Sequence, residues 1–98
     1  MRTIYKYPIE IKFFQTLEVP QDRRILTVQI QDGKPCIWME VETDSPHTEL
    51  QVYVVGTGHP MPMTNLHYIG SVQIDNGLYV FHVFWTYQIV QIDNKQWI

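Results

Sequence analysis

The sequence predicts an all-β protein, a single compact antiparallel sandwich or barrel-like domain of about seven to eight short strands. Three observations lead to this prediction: alternating apolar and polar segments recur at short intervals, turn-forming residues separate them, and no window has apolar residues at helical spacing with a cap. The length of 98 residues is enough for one core. We divide the chain into a β domain, residues 1–86, and a C-terminal extension, residues 87–98, interpreted as an extra strand or an oligomerisation arm.

The first two predicted strands lie within residues 3–20. Residues 3–13 (TIYKYPIEIKF) are rich in β-branched and aromatic side chains. Pro8 lies within this segment and cannot donate a hydrogen bond to a neighbouring strand, which indicates an edge strand or a bulge. Residues 14–20 (FQTLEVP) alternate apolar and polar side chains up to Pro20, where we expect the strand to end.

A hairpin is predicted next, with Asp32-Gly33 as its turn between residues 24–31 and residues 36–43. The lone cysteine, Cys36, begins the second of these strands and is expected to be buried and unreactive. The predicted inward residues of the hairpin are Leu26, Val28, Ile30, Ile37, Met39 and Val41, with Cys36, Trp38, Glu40 and Glu42 on the opposite face.

Three more strands are predicted in the second half, at residues 50–55, 66–74 and 78–86. Gly70 indicates a bulge or a close approach in the second of them. The turn residues DNG precede the third, which is apolar on both faces. Such a strand is typical of the centre of a packed sheet or of a subunit contact.

Composition excludes several classes of protein. Hydrophobic residues make up 45% of the chain, and the net charge is −3. This balance argues against disorder, and scattered basic residues argue against binding long nucleic acids through their phosphates. A single cysteine and the lack of a signal-like or membrane-spanning apolar run predict a soluble intracellular protein with no membrane association.

The loop GTGHPMP, residues 56–62, concentrates glycine and proline directly after a predicted strand. It does not fit a dinucleotide-binding fingerprint, because position 61 is Met and no helix is predicted to follow, and it has no lysine for a Walker loop. Two interpretations stay open. Gly56 and Gly58 shape an anion nest with Thr57 and His59 as side-chain contacts, or the loop is a stiff hairpin connection.

No catalytic or metal-binding pattern is visible. The four histidines lack the clustered spacing of a zinc site, although His59 and His67 would meet if their strands formed a hairpin. The two serines lack a nucleophile elbow. His82 is predicted to be half-buried and hydrogen-bonded to a neighbour. We therefore expect no enzyme activity, no metal and no cofactor.

Several short motifs in order, TIYKY, DGKPCIW, GTGH, YIG and FHVF, cover residues 3 to about 84. In this order they resemble a family of small uncharacterised phage and prophage proteins. The resemblance implies a phage setting and a place in the host cytoplasm, and it implies no particular activity.

We therefore expect a phage accessory protein, a homo-oligomer, that antagonises host antiviral defence by binding a small ligand or a host protein. The first hypothesis is sequestration of a small nucleotide immune signal. The alternatives are inhibition of a host defence protein such as a CRISPR nuclease, and a minor structural or assembly role. The predicted ligand-binding residues are Gly56, Thr57, Gly58, His59, Tyr53, Tyr68, Arg23 and Arg24, with Trp38 and Trp85 as further aromatic side chains able to stack on a base.

Overall fold

The computed structural model describes residues 1–87 and contains seven β-strands. They are β1 (Arg2–Pro8), β2 (Phe14–Pro20), β3 (Arg23–Gln31), β4 (Lys34–Glu42), β5 (His47–Gly56), β6 (His67–Ile74) and β7 (Tyr79–Tyr87). Within residues 1–87 no helix has the length and apolar character needed to cross a membrane. The predicted all-β fold is confirmed. The expected extension, residues 87–98, lies outside the described residues except for Tyr87.

The strands form two antiparallel sheets, a three-stranded sheet in the order β1-β4-β3 and a four-stranded sheet in the order β2-β5-β7-β6. Apolar side chains from both sheets meet in one core, which makes the domain a sandwich. The fully buried side chains are Ile9, Val19, Ile37, Met39, Val41, Leu50, Val52 and Val83. Alternate residues of each strand therefore face either this core or the outer surface of their sheet.

The predicted faces of β4 are confirmed, whereas those of β3 are partly wrong. A β-bulge between Ile25 and Thr27 shifts the register of β3. The extra residue of a bulge places the side chains before and after it on faces that simple alternation would not give. Ile25, before the bulge, therefore faces the core together with Val28, after it, and Leu26 is 40% exposed. Ile30, also predicted to point inward, is exposed near the end of the strand.

The first predicted strand is shorter than the sequence suggested. It ends at Pro8 on an edge of the three-stranded sheet, which confirms the interpretation of Pro8 as an edge residue. Residues 9–13 leave the strand, and Ile9 turns into the core with 1% exposure. The Ile9 N–H donates to the carbonyl of Pro35, and Gln15 holds the backbone of Glu10 through two hydrogen bonds.

Two tight turns lie where the sequence predicted them. Asp32 and Gly33 connect β3 to β4 with φ values of 52° and 76°. Asp75, Asn76 and Gly77 connect β6 to β7 with φ values of 56°, 55° and 88°. Asp, Asn and Gly tolerate this left-handed region better than other residues, so the local sequence determines both hairpins.

β7 is central in the four-stranded sheet, between β5 and β6, which explains why it is apolar on both faces. The bulge predicted at Gly70 is confirmed by a register shift between Tyr68 and Gly70. At this point β6 comes close to β3. A Cβ atom added to Gly70 would lie 3.0 Å from Cγ1 of Val28, so the absence of a side chain permits the approach.

The expectation that GTGHPMP is a hairpin loop between neighbouring strands is wrong. β5 and β6 are both antiparallel to β7 and lie on either side of it, so they run in the same direction. Residues 57–66 therefore form a crossover connection past β7. It starts beside Phe81, the register partner of Gly56, and ends beside Trp85, the register partner of His67.

Candidate functional site

Arg23 and Arg24 were both predicted to bind the ligand, but neighbouring residues of a strand point to opposite faces. Arg24 lies on the outer face of the three-stranded sheet, where its Nη2 contacts Glu40 Oε1 at 2.6 Å. Arg2 binds the same carboxylate at 2.7 Å and reaches Asp22 at 2.9 Å. Hydrogen bonds from Arg2 and Arg24 lower the pKa of Glu40. Arg24 is therefore already neutralised.

Arg23 occupies the opposite, inner side, at one end of the sandwich. Its Nη1 donates to the carbonyls of Pro20 at 3.2 Å and Gln21 at 3.3 Å. Within residues 1–87 no carboxylate forms an ion pair with it. Burial lowers the pKa of Arg23, against a smaller opposing effect of Tyr87. A half-buried guanidinium without an acidic partner is a natural binding point for an anion.

Arg23 faces a cavity of about 330 Å³ at this end of the molecule, which we call the end groove. Its lining residues are Gln21, Arg23, Arg24, Ile25, Trp85 and Tyr87. A second cavity of about 390 Å³, lined in part by Thr48 and Glu49, shares Gln21, Arg23 and Tyr87 with it. The two volumes therefore meet at the Arg23 side chain.

Aromatic rings form one wall of the end groove. The ring of Trp85 stacks on His67, with centroids 4.4 Å apart and planes at 23°. Tyr87 packs edge-on against the same indole at 5.0 Å and 80°. The Trp85 ring is thus held in place by its neighbours beside a positive charge. An aromatic wall next to a guanidinium can bind a flat anionic group by stacking and by charge-assisted hydrogen bonds.

The structure does not support the anion nest at residues 56–59. The His59 N–H donates to the Gly56 carbonyl at 3.0 Å, which closes a β-turn, and the Thr57 N–H donates to the Val80 carbonyl at 3.2 Å. Of the two glycines only Gly58 has a positive φ, 89°. These N–H groups are therefore used within the protein. The His59 ring lies against Gly56 and borders an apolar cavity of about 330 Å³.

A chain of polar side chains crosses the outer face of the four-stranded sheet beside this turn. His82 Nε2 lies 2.8 Å from Thr57 Oγ1, and His82 Nδ1 lies 2.7 Å from Ser71 Oγ. The Tyr68 hydroxyl lies 2.7 Å from Ser71 Oγ. We call Thr57, His82, Ser71 and Tyr68 the His82 chain. The prediction of a half-buried, hydrogen-bonded His82 is confirmed.

An aromatic row runs across the same outer face. Tyr53 lies under Phe13 and Phe14, with ring centroids 5.8 Å and 5.1 Å away, and is only 7% exposed. Tyr68 packs against Phe84 at 5.5 Å and is 61% exposed. Tyr53 therefore cannot stack on a ligand as predicted, whereas Tyr68 is accessible.

The predicted site residues consequently lie in separate regions. Arg23 lines the end groove, Arg24 is held in an ion pair at its rim, Thr57 and Tyr68 share the His82 chain, and His59 with both glycines forms the turn. Trp38 lies on the outer face of the three-stranded sheet, with the Lys6 ammonium 5.9 Å from its ring centroid.

Sequence reasoning missed the proximity of Arg23 to Tyr87 and of Ser71 to His82. The second could have been found from the DNG turn, because counting outward from that hairpin pairs Ser71 with His82. The first had no local signal. His59 and His67 do not meet across a hairpin, since β5 and β6 are not neighbours. No group of three potential metal ligands occurs among the residues that the structure describes.

Residues 1–92 match the model of a domain of unknown function, DUF7352. The chain belongs to this family. The match reaches past Phe84, into the segment that we assigned to the C-terminal extension. The comparisons with curated proteins and with solved structures found no match.

Proposed function

We propose that the protein is a binding protein that takes up a small anionic ligand with a flat ring, of the nucleotide class, in the end groove. In the phage setting suggested by the sequence motifs, this uptake sequesters a nucleotide immune signal of the host. The observation that carries the proposal is Arg23, a half-buried guanidinium with no acidic partner among residues 1–87, beside the aromatic wall of the groove.

The chemistry of the groove fits the two halves of such a ligand. A guanidinium can form two parallel hydrogen bonds with a phosphate. Arg23 uses Nη1 for backbone carbonyls, and its other nitrogens form no hydrogen bond with a described residue, so they could donate to such a group. Tyr87, which is 64% exposed, offers ring surface for a base, and Trp85, which His67 covers on one face, supports the Tyr87 ring. The volume of about 330 Å³ lies at the lower end of the range of small-molecule sites, and the adjoining cavity extends it.

A second candidate function is inhibition of a host defence protein. It is favoured by exposed aromatic and aliphatic side chains on the four-stranded sheet and its turns, notably Phe13, Tyr68, Leu78 and Tyr79. Aromatic residues are enriched at the centres of protein interfaces. None of these four residues lines the end groove, so variants can separate the two functions.

The test compares two neighbouring arginines that differ in their surroundings. Arg23→Gln and Arg24→Gln remove the same charge from the groove, but only Arg23 lacks a carboxylate partner within residues 1–87. We expect Arg23→Gln to weaken nucleotide binding about ten- to hundredfold, because a charge-assisted hydrogen bond contributes about 1.5–3 kcal/mol. Arg24→Gln should change it less than threefold. Thermal unfolding of both variants checks that the fold is retained.

Binding is measured by isothermal titration with a panel of mono-, di- and cyclic nucleotides, after native mass spectrometry of protein purified from cells that express a nucleotide-signalling defence. A retained nucleotide that Arg23→Gln loses supports the proposal. Absence of nucleotide binding, or equal losses in both variants, contradicts it. A host polypeptide that co-purifies instead, and that is lost on Tyr68→Ala substitution, supports the inhibitor.

A further inference from the structure

Hydrogen-bond directions in the His82 chain follow from the number of hydrogens available. Thr57 has one hydroxyl hydrogen and donates it to the Val80 carbonyl at 3.3 Å. A hydroxyl that donates there leaves its oxygen to accept from His82, an assignment in which Nε2 carries the ring proton and Nδ1 of the neutral ring is an acceptor. Ser71 then donates to Nδ1, and its oxygen accepts from the Tyr68 hydroxyl.

Protonation of His82 reverses the outer half of this chain. In the imidazolium both ring nitrogens are donors, so Nδ1–H donates to Ser71 Oγ. Ser71 must then turn its hydrogen toward the Tyr68 oxygen, and the Tyr68 hydrogen is released to solvent. The inner half keeps its directions, because Nε2 is a donor in both states. No atom has to move far, since only hydroxyl hydrogens rotate.

The groups around His82 are few and uncharged. Its register partners are Val55 on β5 and Ser71 on β6, and its neighbours on the same face of β7 are Val80 and Phe84. The other titratable groups nearby are Tyr68, within the chain, Tyr53, two residues from Val55 on the same face of β5, and His59, in the turn that follows Thr57. No carboxylate of residues 1–87 is ion-paired with His82.

We propose that the His82 chain is a relay that switches the exposed Tyr68 hydroxyl from hydrogen-bond acceptor to donor when His82 is protonated. Tyr68 is 61% exposed and lies at the outer end of the chain, so a group bound there experiences the change directly. With neutral His82 the surface prefers a donor opposite Tyr68, such as an amide N–H. With protonated His82 it prefers an acceptor, such as a carbonyl or carboxylate oxygen.

The test follows both ends of the relay by NMR on the whole protein between pH 8 and pH 5. Ring ¹⁵N shifts report the tautomer and protonation of His82, and the ζ-carbon shift of Tyr68 reports the state of its hydroxyl. We expect an Nε2–H tautomer at high pH and a Tyr68 transition at the same midpoint as that of His82.

Ser71→Ala separates the relay from a simple charge effect. This variant cuts the hydrogen-bond connection at an exposed position but leaves the charge on His82, so Tyr68 should no longer respond while His82 still titrates. The matched control Ser71→Thr keeps the hydroxyl and should keep the response. An Nδ1–H tautomer at high pH, a Tyr68 signal that ignores His82, or a full response in Ser71→Ala would each overturn the proposal.

Discussion

Replacing Gly70 with alanine tests the close approach of β6 to β3. The added Cβ would lie 3.0 Å from Cγ1 of Val28, whereas carbon atoms prefer separations of about 3.5–4.0 Å. The Val28 carbonyl is 4.0 Å away, so the conflict is with the side chain alone. We expect Gly70→Ala to cost about 1–3 kcal/mol of unfolding free energy, the usual range for overpacking.

A double-mutant cycle with Val28→Ala makes this prediction specific. Val28 is 4% exposed, so its truncation alone should cost about 2–3 kcal/mol through lost burial and a cavity. In the double variant the new methyl group of residue 70 meets no Cγ1 and fills part of that cavity. The double variant should therefore lose at least about 1 kcal/mol less than the sum of the single changes.

The measurement is urea unfolding of the four proteins, with the free energies extrapolated to water. Thermal unfolding offers a second readout, because about 1 kcal/mol corresponds to a shift of roughly 4–8 °C in a domain of this size. Additive losses, or an alanine at position 70 that changes nothing, would refute the argument that Val28 requires a glycine opposite it.

Four further outcomes are expected. Gly58→Ala should lower the free energy of unfolding by about 1–2 kcal/mol because of its positive φ of 89°, and His59→Ala should lower it by under about 1 kcal/mol, both measured by unfolding. If His59→Ala abolishes plaque formation on defence-expressing cells without destabilising the protein, His59 contacts the ligand or partner. Cys36, which is buried, should react slowly with a thiol reagent until denaturant is added, and fast native labelling would contradict its burial. Because the pKa of Glu40 is lowered in the folded state, its carboxylate stabilises the fold at pH values above the ordinary pKa of 4.5, and this stabilisation is lost as the pH falls through the lower folded pKa. The unfolding free energy of Glu40→Gln should therefore depend less on pH in the acid range than that of the unchanged protein. The protein should self-associate at micromolar concentration, so that sedimentation gives a mass above that of the monomer, and deletion of residues 87–98 should lower this mass.

Local sequence was sufficient for much of the fold because the determinants are local. Alternation assigned the faces of β4, and Asp32-Gly33 marked its hairpin. Gly70 marked a bulge, since a missing side chain in a strand usually has a steric reason. Where alternation was interrupted without a glycine, as at Leu26, the pattern gave the wrong face, because a bulge there depends on packing across the sandwich.

Strand order could not be predicted, and it decides where the candidate sites are. Alternation describes each strand by itself and does not say which strand lies beside it, so β5 and β6 looked like hairpin partners. The end groove depends on this order, because Arg23 and Trp85 are far apart in sequence and meet only where the two sheets meet. The His82 chain was closer to prediction, since Ser71 and His82 belong to one hairpin.

The position of β7 has a consequence for how the chain acquires its structure during synthesis. The three-stranded sheet can pair once residue 42 has left the ribosome, because all of its strands lie within residues 2–42. The other sheet has to wait: β5 and β6 have no shared partner until β7, the last described strand to be made, inserts between them. Until then the edges of β5 and β6 that β7 will cover stay unpaired, and unpaired strand edges are sites at which chains aggregate.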